Sequence, residues 1–225
     1  MKRTALVTGA ARGIGRAISE KLSHEGYAVI TPTRSEMDLS DLSSVRRYCE
    51  TLAQGETKEI QVLINNAGEN VVQPLGDIDY ETWARIQNIN LNSAFLLTQF
   101  FGRKMVQAGF GRILNVASLF SFLTREGRAS YSASKSALTG LTRTAAAEWS
   151  KNGVLVNALS PGFVDTELTR KNNSPERIQE IARSIPAGRL CKPEEIAEAA
   201  YFLVSEANTY ITGQNIVVDG GYSIL

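Results

Sequence analysis

Tyr131 and Lys135 stand four apart in "YSASK", within a run that reads as one long helix over 129–151. Residues at i and i+4 share a helix face. A phenol titrates at about 10 and shuttles protons poorly at neutral pH, and an ammonium held close favours the phenolate. The pair therefore suits general acid–base chemistry. Ser118 closes the apolar run "GRILNVAS" (111–118). A hydroxyl at a strand end suits a substrate oxygen on which negative charge develops. Upstream, "TGAARGIG" sets Gly9, Gly13 and Gly15 between an apolar run and a helical one. Glycines there let the backbone approach a pyrophosphate, and the helix N-terminus supplies free N–H groups and positive potential. Each feature alone has an ordinary reading: a core tyrosine, a solvated lysine, a strand-end cap, a tight turn. Together they argue for a site.

The elements that must hold these residues alternate along the chain. Apolar runs at 4–8, 27–31, 61–65, 111–118, 154–160 and 215–219 read as strands. Helical patterns fill 13–25, 42–53, 79–107, 129–151, 175–184 and 193–205. Strands rich in Val, Ile and Leu on both faces, separated by helices, predict a parallel sheet covered on both sides. The expected fold is α/β, a three-layer α/β/α Rossmann-type doubly wound sheet of six or seven strands, in a single domain over 1–225. Such sheets bind ligands beyond the carboxyl ends of their strands.

Totals narrow the classes. The chain has 225 residues, 43% apolar, and 24 basic against 23 acidic residues, a net charge of +1. Nothing in that balance calls for nucleic acid. Cys49 and Cys191 have no metal or redox spacing, and the only histidine, His24, is assigned no role. The apolar run near the start is too short for a signal peptide, and no stretch approaches a membrane span. These features predict a cytoplasmic protein with free thiols, no membrane partner and no metal.

Further motifs fall in a set order: "NNAG" (65–68), Asn90 in "NIN", Ser118, "YSASK" (131–135), "PG" (161–162) and "ITGQNIVVDGG" (211–221). With the glycine turn, this set resembles the short-chain dehydrogenase/reductase family across essentially the whole chain. The resemblance implies a nicotinamide-dependent interconversion of a carbonyl and a secondary alcohol. It implies that Tyr131 donates a proton to the carbonyl as hydride arrives, and that Lys135 also holds the nicotinamide ribose. Ser118 would hold the substrate oxygen, and Asn90 would sustain a proton relay through the lysine. The cofactor would lie against Gly9, Arg12, Gly13, Ile14 and Gly15. Asn65, Ala67 and Gly68 would line its adenosine side, Asp38 and Leu39 its adenine, and Pro161, Gly162, Val164 and Thr166 its carboxamide. Asn66 and Gly213 read mainly as turn formers.

"PAGRL" (186–190) and "PEEIA" (193–197) look most like the 3-oxoacyl-(acyl-carrier-protein) reductase branch. Gly109 and Asn152 stand where that branch often carries basic residues for docking a carrier protein. The substrate is therefore an acyl thioester or another small carbonyl or alcohol, including a sugar or a steroid. A non-catalytic nicotinamide-binding sensor is a further class, and the complete Asn90, Ser118, Tyr131, Lys135 set argues against it. The resemblance also implies a homotetramer or homodimer, with helices 90–107 and 131–151 across one axis and the last helix and strand across another. The apolar end "YSIL" suits a packed terminus.

The stretch "VITPTRSEMDLSD" (29–41) departs from the pattern. An NAD site carries an acid about twenty residues beyond the glycines, to accept from the ribose hydroxyl. Thr33 stands there, followed by Arg34. A guanidinium suits a 2′-phosphate, so NADP(H) is favoured over NAD(H), with Arg12 as a second basic residue. The competing reading pairs Arg34 with Glu36 in solvent. The stretch is also too short for a crossover between parallel strands, which needs about a dozen residues. The outer strand at 36–39 is thus expected to be lost or reduced, leaving 27–31 at the edge with Pro32 blunting it.

The substrate wall is expected from 69–75, 119–130 and 163–190, the last acting as a lid. Arg125 and Arg128 would hold a carboxylate or a phosphopantetheine phosphate, or else be solvated loop residues.

Overall fold

The computed structural model describes residues 3–54 and 59–224; Leu225, last of the apolar tail, lies outside them. Six strands form the sheet: β1 (Thr4–Val7), β2 (Ala28–Ile30), β3 (Ile60–Asn65), β4 (Gly111–Val116), β5 (Val154–Pro161) and β6 (Asn215–Val218). Their order is β2-β1-β3-β4-β5-β6, and every pairing is parallel. Successive side chains of a strand point to opposite faces. Ala5 and Val7 enter one core with Val62, Ile64, Leu114 and Leu159. Leu6 enters the other with Leu63, Ile113 and Val156. Both faces are buried, so the strands read as unbroken apolar runs.

The first face is covered by α1 (Gly13–His24) and α8 (Pro193–Val204), through Ile18, Leu22, Ile196 and Leu203. The second is covered by α2 (Leu42–Gln54), α4 (Ser93–Ala108) and α5 (Ala129–Trp149), through Val45, Leu97, Phe101 and Ala145. Along α5 the buried residues include Ser134, Lys135, Leu138, Thr142 and Ala146, the spacing of one helical face. That face places Lys135 inside. Among the described residues, no helix is long and apolar enough to cross a membrane.

Residues 33–41 form two successive turns. Glu36 and Met37 N–H groups donate to Thr33 O at 3.2 and 3.0 Å, and Asp41 N–H donates to Asp38 O at 3.1 Å. No strand forms at 36–39, and β2 is the sheet edge, followed by Pro32. Met37, 3% exposed, joins the second core beside Val45 and Leu6. The shortened connection thus closes over the sheet edge with its own side chain.

Two segments differ from their expected form. The helix expected over 79–107 is divided: α3 (Tyr80–Gln87) runs into a π-turn at Asn88–Asn92 and then α4. The segment 163–190 carries α6 (Glu167–Asn172) as well as the expected helix, α7 (Pro175–Arg183). Thr166 caps α6 by accepting from Thr169 N–H, a local hydroxyl signal within a stretch of low apolar periodicity.

Candidate active site

The chain leaves β1 toward β2 on one side and returns to β3 on the other. The crevice at that reversal is where open parallel sheets take ligands. Here it is a cleft of about 880 Å³. It is lined by Gly9, Arg12, Gly13, Ile14, Gly15, Arg34, Asp38, Leu39, Ala67, Gly68, Ser118, Tyr131, Lys135, Pro161, Gly162, Val164 and Thr166. The strands that end there bring together residues as far apart in sequence as Gly9 and Thr166 only because the sheet order differs from chain order.

The glycine turn is built for close approach. Gly9 and Gly13 have φ of +66° and +55°, a region that favours glycine. A Cβ on Gly15 would lie 2.3 Å from Gly9 O. Helix α1 begins at Arg12 with no side-chain cap and no acidic residue in its first turn. Its terminal N–H groups are left for an anion. Thr8 stitches this turn to NNAG: its Oγ1 accepts from Asn66 and Ala67 N–H groups, both at 3.0 Å. Asn66 Nδ2 donates to Thr8 O and Gly9 O at 2.9 and 3.2 Å. Thr8 was not a candidate from sequence; its signal is a hydroxyl at the end of an apolar strand. The uncapped helix and the missing Cβ atoms fit a dinucleotide pyrophosphate.

Asn65 departs from its expected place. Its side chain turns into the core, 4% exposed, and donates to Thr98 Oγ1 at 3.1 Å and Asn115 Oδ1 at 2.8 Å. As the last residue of β3 it follows the pleat inward, away from the adenosine side.

Three residues of the expected catalytic set, Ser118, Tyr131 and Lys135, line one end of the cleft, and Asn90 lies buried behind them. Asn90 sits in the π-turn, 1% exposed. It accepts from Glu69 N–H at 2.8 Å and donates to Glu69 O at 2.9 Å and Ser134 Oγ at 3.0 Å. It thereby fixes the loop after NNAG. A Cβ on Gly68 would meet Lys135 Nζ at 3.3 Å and Asn90 Oδ1 at 3.5 Å, so this glycine leaves room for both. Lys135 Nζ donates to Val116 O at 2.6 Å. Burial brings its ammonium down to about 8.

Tyr131 behaves differently from the sequence expectation. Burial raises its phenol, while the Ser118 hydroxyl and the Arg128 charge pull it back. Lys135 Nζ lies 5.7 Å from the Tyr131 ring and is tied to the strand carbonyl instead. The low dielectric disfavours both the phenolate and the ammonium. Tyr131 is thus neutral at neutral pH, the form that a donor to a carbonyl oxygen would need.

At the far end, Arg34 Nε donates to Asp38 Oδ2 at 3.3 Å, and its side chain is 81% exposed. Glu36 is occupied by the Thr33 N–H and hydroxyl, both at 2.7 Å, so it is not the partner of Arg34. Ser40, through its hydroxyl and N–H, and then Arg34, hold the Asp38 carboxyl below its ordinary value.

The three segments expected to form the substrate wall touch one another or the C-terminal turn. Gln73 N–H donates to Gly127 O at 3.0 Å, joining 69–75 to 119–130. Arg125 Nη2 donates to Tyr222 Oη at 2.5 Å and lies over the Phe163 ring at 5.1 Å. Tyr222 packs edge-on to Phe163, with centroids 5.2 Å apart. The C-terminal turn thus packs onto these segments, a contact that the sequence expectation did not include. Glu69 and Arg85 form an ion pair at the cleft margin.

Comparison with known proteins agrees with this geometry. Residues 3–39 match the short chain dehydrogenase family, and residues 31–223 match the family described as enoyl-(acyl carrier protein) reductase. The chain is 35% identical to the NAD-dependent glycerol dehydrogenase of Listeria innocua, covering 99% of this chain and 94% of that one. It is 37% identical to the 2-dehydro-3-deoxy-D-gluconate 5-dehydrogenase of Bacillus subtilis, covering 98% and 94%. It is 35% identical to the 3-oxoacyl-(acyl-carrier-protein) reductase of Escherichia coli, covering 97% and 96%. Its fold matches a gluconate 5-dehydrogenase from Burkholderia cenocepacia in complex with NADP and tartrate. The TM-score is 0.93 at 30% identity, over 100% of this chain and 97% of that one. A glycine-turn cleft, a tyrosine and lysine on one buried helix face, and full-length likeness to named oxidoreductases together place the chain in the short-chain dehydrogenase/reductase family.

Proposed function

We propose that the protein is an NADP(H)-preferring oxidoreductase that interconverts a small carbonyl compound and its secondary alcohol. The observation that carries this reading is the placement of Tyr131, Ser118 and Lys135 at one end of a cleft whose other end presents Arg34 and Arg12, with Asn90 buried behind them against Ser134. When bound, the nicotinamide group supplies or accepts the hydride. Tyr131 delivers the proton to the carbonyl oxygen and takes it back in the reverse direction. Ser118 holds that oxygen, and Lys135 offers its charge to the ribose. Arg34, exposed and held by one long bond to the half-buried Asp38 carboxylate, is available for a 2′-phosphate. The whole chain acts as one catalytic unit, since a single sheet carries both ends of the cleft. Two thiols without a disulfide support a cytoplasmic setting. Relatives of equal identity act on a polyol, a sugar acid and an acyl thioester by their names, so the substrate rests on the loops.

The test is steady-state kinetics over a panel of ketones and alcohols with both cofactors. The expected kcat/KM is higher with NADPH than with NADH, and Tyr131→Phe removes about 10²–10⁴ of turnover while NADPH still binds. A higher kcat/KM with NADH would sink the cofactor assignment. Activity surviving in Tyr131→Phe would sink the mechanism.

A further inference from the structure

Two arginines of the 119–130 segment, beside Tyr131 but outside the lining of the cleft, have no carboxylate partner among the described residues. Arg128 precedes α5 directly, three positions before Tyr131. It is half-buried, and its guanidinium lies 5.5 Å over the Phe120 ring. Phe120 in turn packs edge-on to Tyr131, with centroids 6.1 Å apart. One aromatic ring therefore separates this cation from the proton donor. Burial lowers the guanidinium of Arg128, with Tyr131 acting against that and the charge of Arg125 adding to it. Arg125 is exposed; it makes one side-chain hydrogen bond, to Tyr222, and its other N–H groups face solvent.

The acidic groups on the packed elements are engaged elsewhere or face water. Glu69 is tied to Arg85. Asp219 accepts from the Gly221 and Ser223 N–H groups at 2.9 and 2.8 Å. Glu126, on the same loop, is exposed and in no ion pair. A partly buried cation beside a like charge is costly unless an anion arrives to satisfy it. A guanidinium fork matches a carboxylate in two parallel hydrogen bonds.

We propose that Arg128 and Arg125 form an anion subsite for the carboxylate of a short hydroxy acid or its keto counterpart. The proposal rests on the oxidoreductase reading above and names its substrate class. The subsite lies one ring away from the reacting phenol, so the anion it takes is only a few carbons from the carbonyl. A phosphopantetheine phosphate is separated from its ketone by a long arm, which this spacing does not accommodate. Tyr222 and Phe163 hold the Arg125 side of the subsite from the C-terminal turn and from the residue after Gly162.

Tartrate and threitol share a four-carbon skeleton and both internal hydroxyls, and differ in having terminal carboxylates or terminal alcohols. Calorimetric titration of each into the full-length protein loaded with NADP⁺ tests the subsite. The expected result is tartrate bound at least about tenfold more tightly than threitol. Arg128→Met should lose about that factor for tartrate and leave threitol unchanged, with a smaller loss for Arg125→Met. Equal affinity for the two ligands in the wild type overturns the proposal, as does a loss shared equally by both in a variant of unchanged circular dichroism. Should Arg128→Met fail to fold, the wild-type ratio and Arg125→Met decide. Turnover of neutral ketones with no tartrate preference overturns the subsite alone. Tartrate preference without turnover of any carbonyl compound supports the subsite and overturns the oxidoreductase reading.

Discussion

Lys135 carries a cost that its position explains. Its ammonium is buried, 3% exposed, against one carbonyl and no carboxylate. In the unfolded chain it stays charged to a pH of about 10.4. In the folded protein it does so only to about 8. Folding therefore releases a proton between these values, and stability rises with pH across that window. Compared with Lys135→Met, the wild type should gain about 3 kcal/mol between the two limits in urea unfolding. A difference that stays flat from pH 8 to 10.5 would show that the ammonium is not desolvated. The i, i+4 spacing of Tyr131 and Lys135 was legible in the sequence. The sign of the Tyr131 shift was not, because it depends on burial and on a strand carbonyl that competes for the lysine.

At the scale of elements, the glycine turn and α1 act as one unit. Gly15→Ala places a methyl 2.3 Å from a backbone carbonyl, so the turn must open before the helix N-terminus can face an anion. NADPH affinity by fluorescence titration should fall about tenfold or more, with circular dichroism unchanged. Unaltered affinity would mean that the turn is not the pyrophosphate cradle. The other elements were legible to different degrees. Strands buried on both faces announce themselves as apolar runs. The π-turn at Asn88–Asn92 did not, because the flanking periodicity is helical on both sides and one extra residue per turn leaves no compositional mark. Helix α6 was missed because it is six residues long and rests on one hydroxyl cap.

Over the whole molecule, exposed apolar side chains include some on the elements expected at subunit contacts. Phe202 of α8 is 46% exposed, Val217 of β6 38%, and Phe95 of α4 44%. These are the elements that the family resemblance assigns to two subunit axes. We infer a homotetramer, which covers apolar surface that a lone chain leaves in water. Size-exclusion chromatography with light scattering should give four times the 24.5 kDa of one chain. A clean monomer would refute it, and a dimer would remove one axis.

The sequence by itself determined the layered fold, the identity and spacing of the Tyr131–Lys135 pair and the loss of the outer strand. Those features are local: strand burial, helix spacing and the number of residues available for a crossover. Tertiary structure alone decided three others. It turned Asn65 into the core because the pleat of β3 points inward at that position. It brought Tyr222 to the substrate wall, 97 residues from the arginine it binds. It left Arg125 and Arg128 without acidic partners among the described residues, since pairing depends on which distant segments meet and no spacing along the chain encodes that.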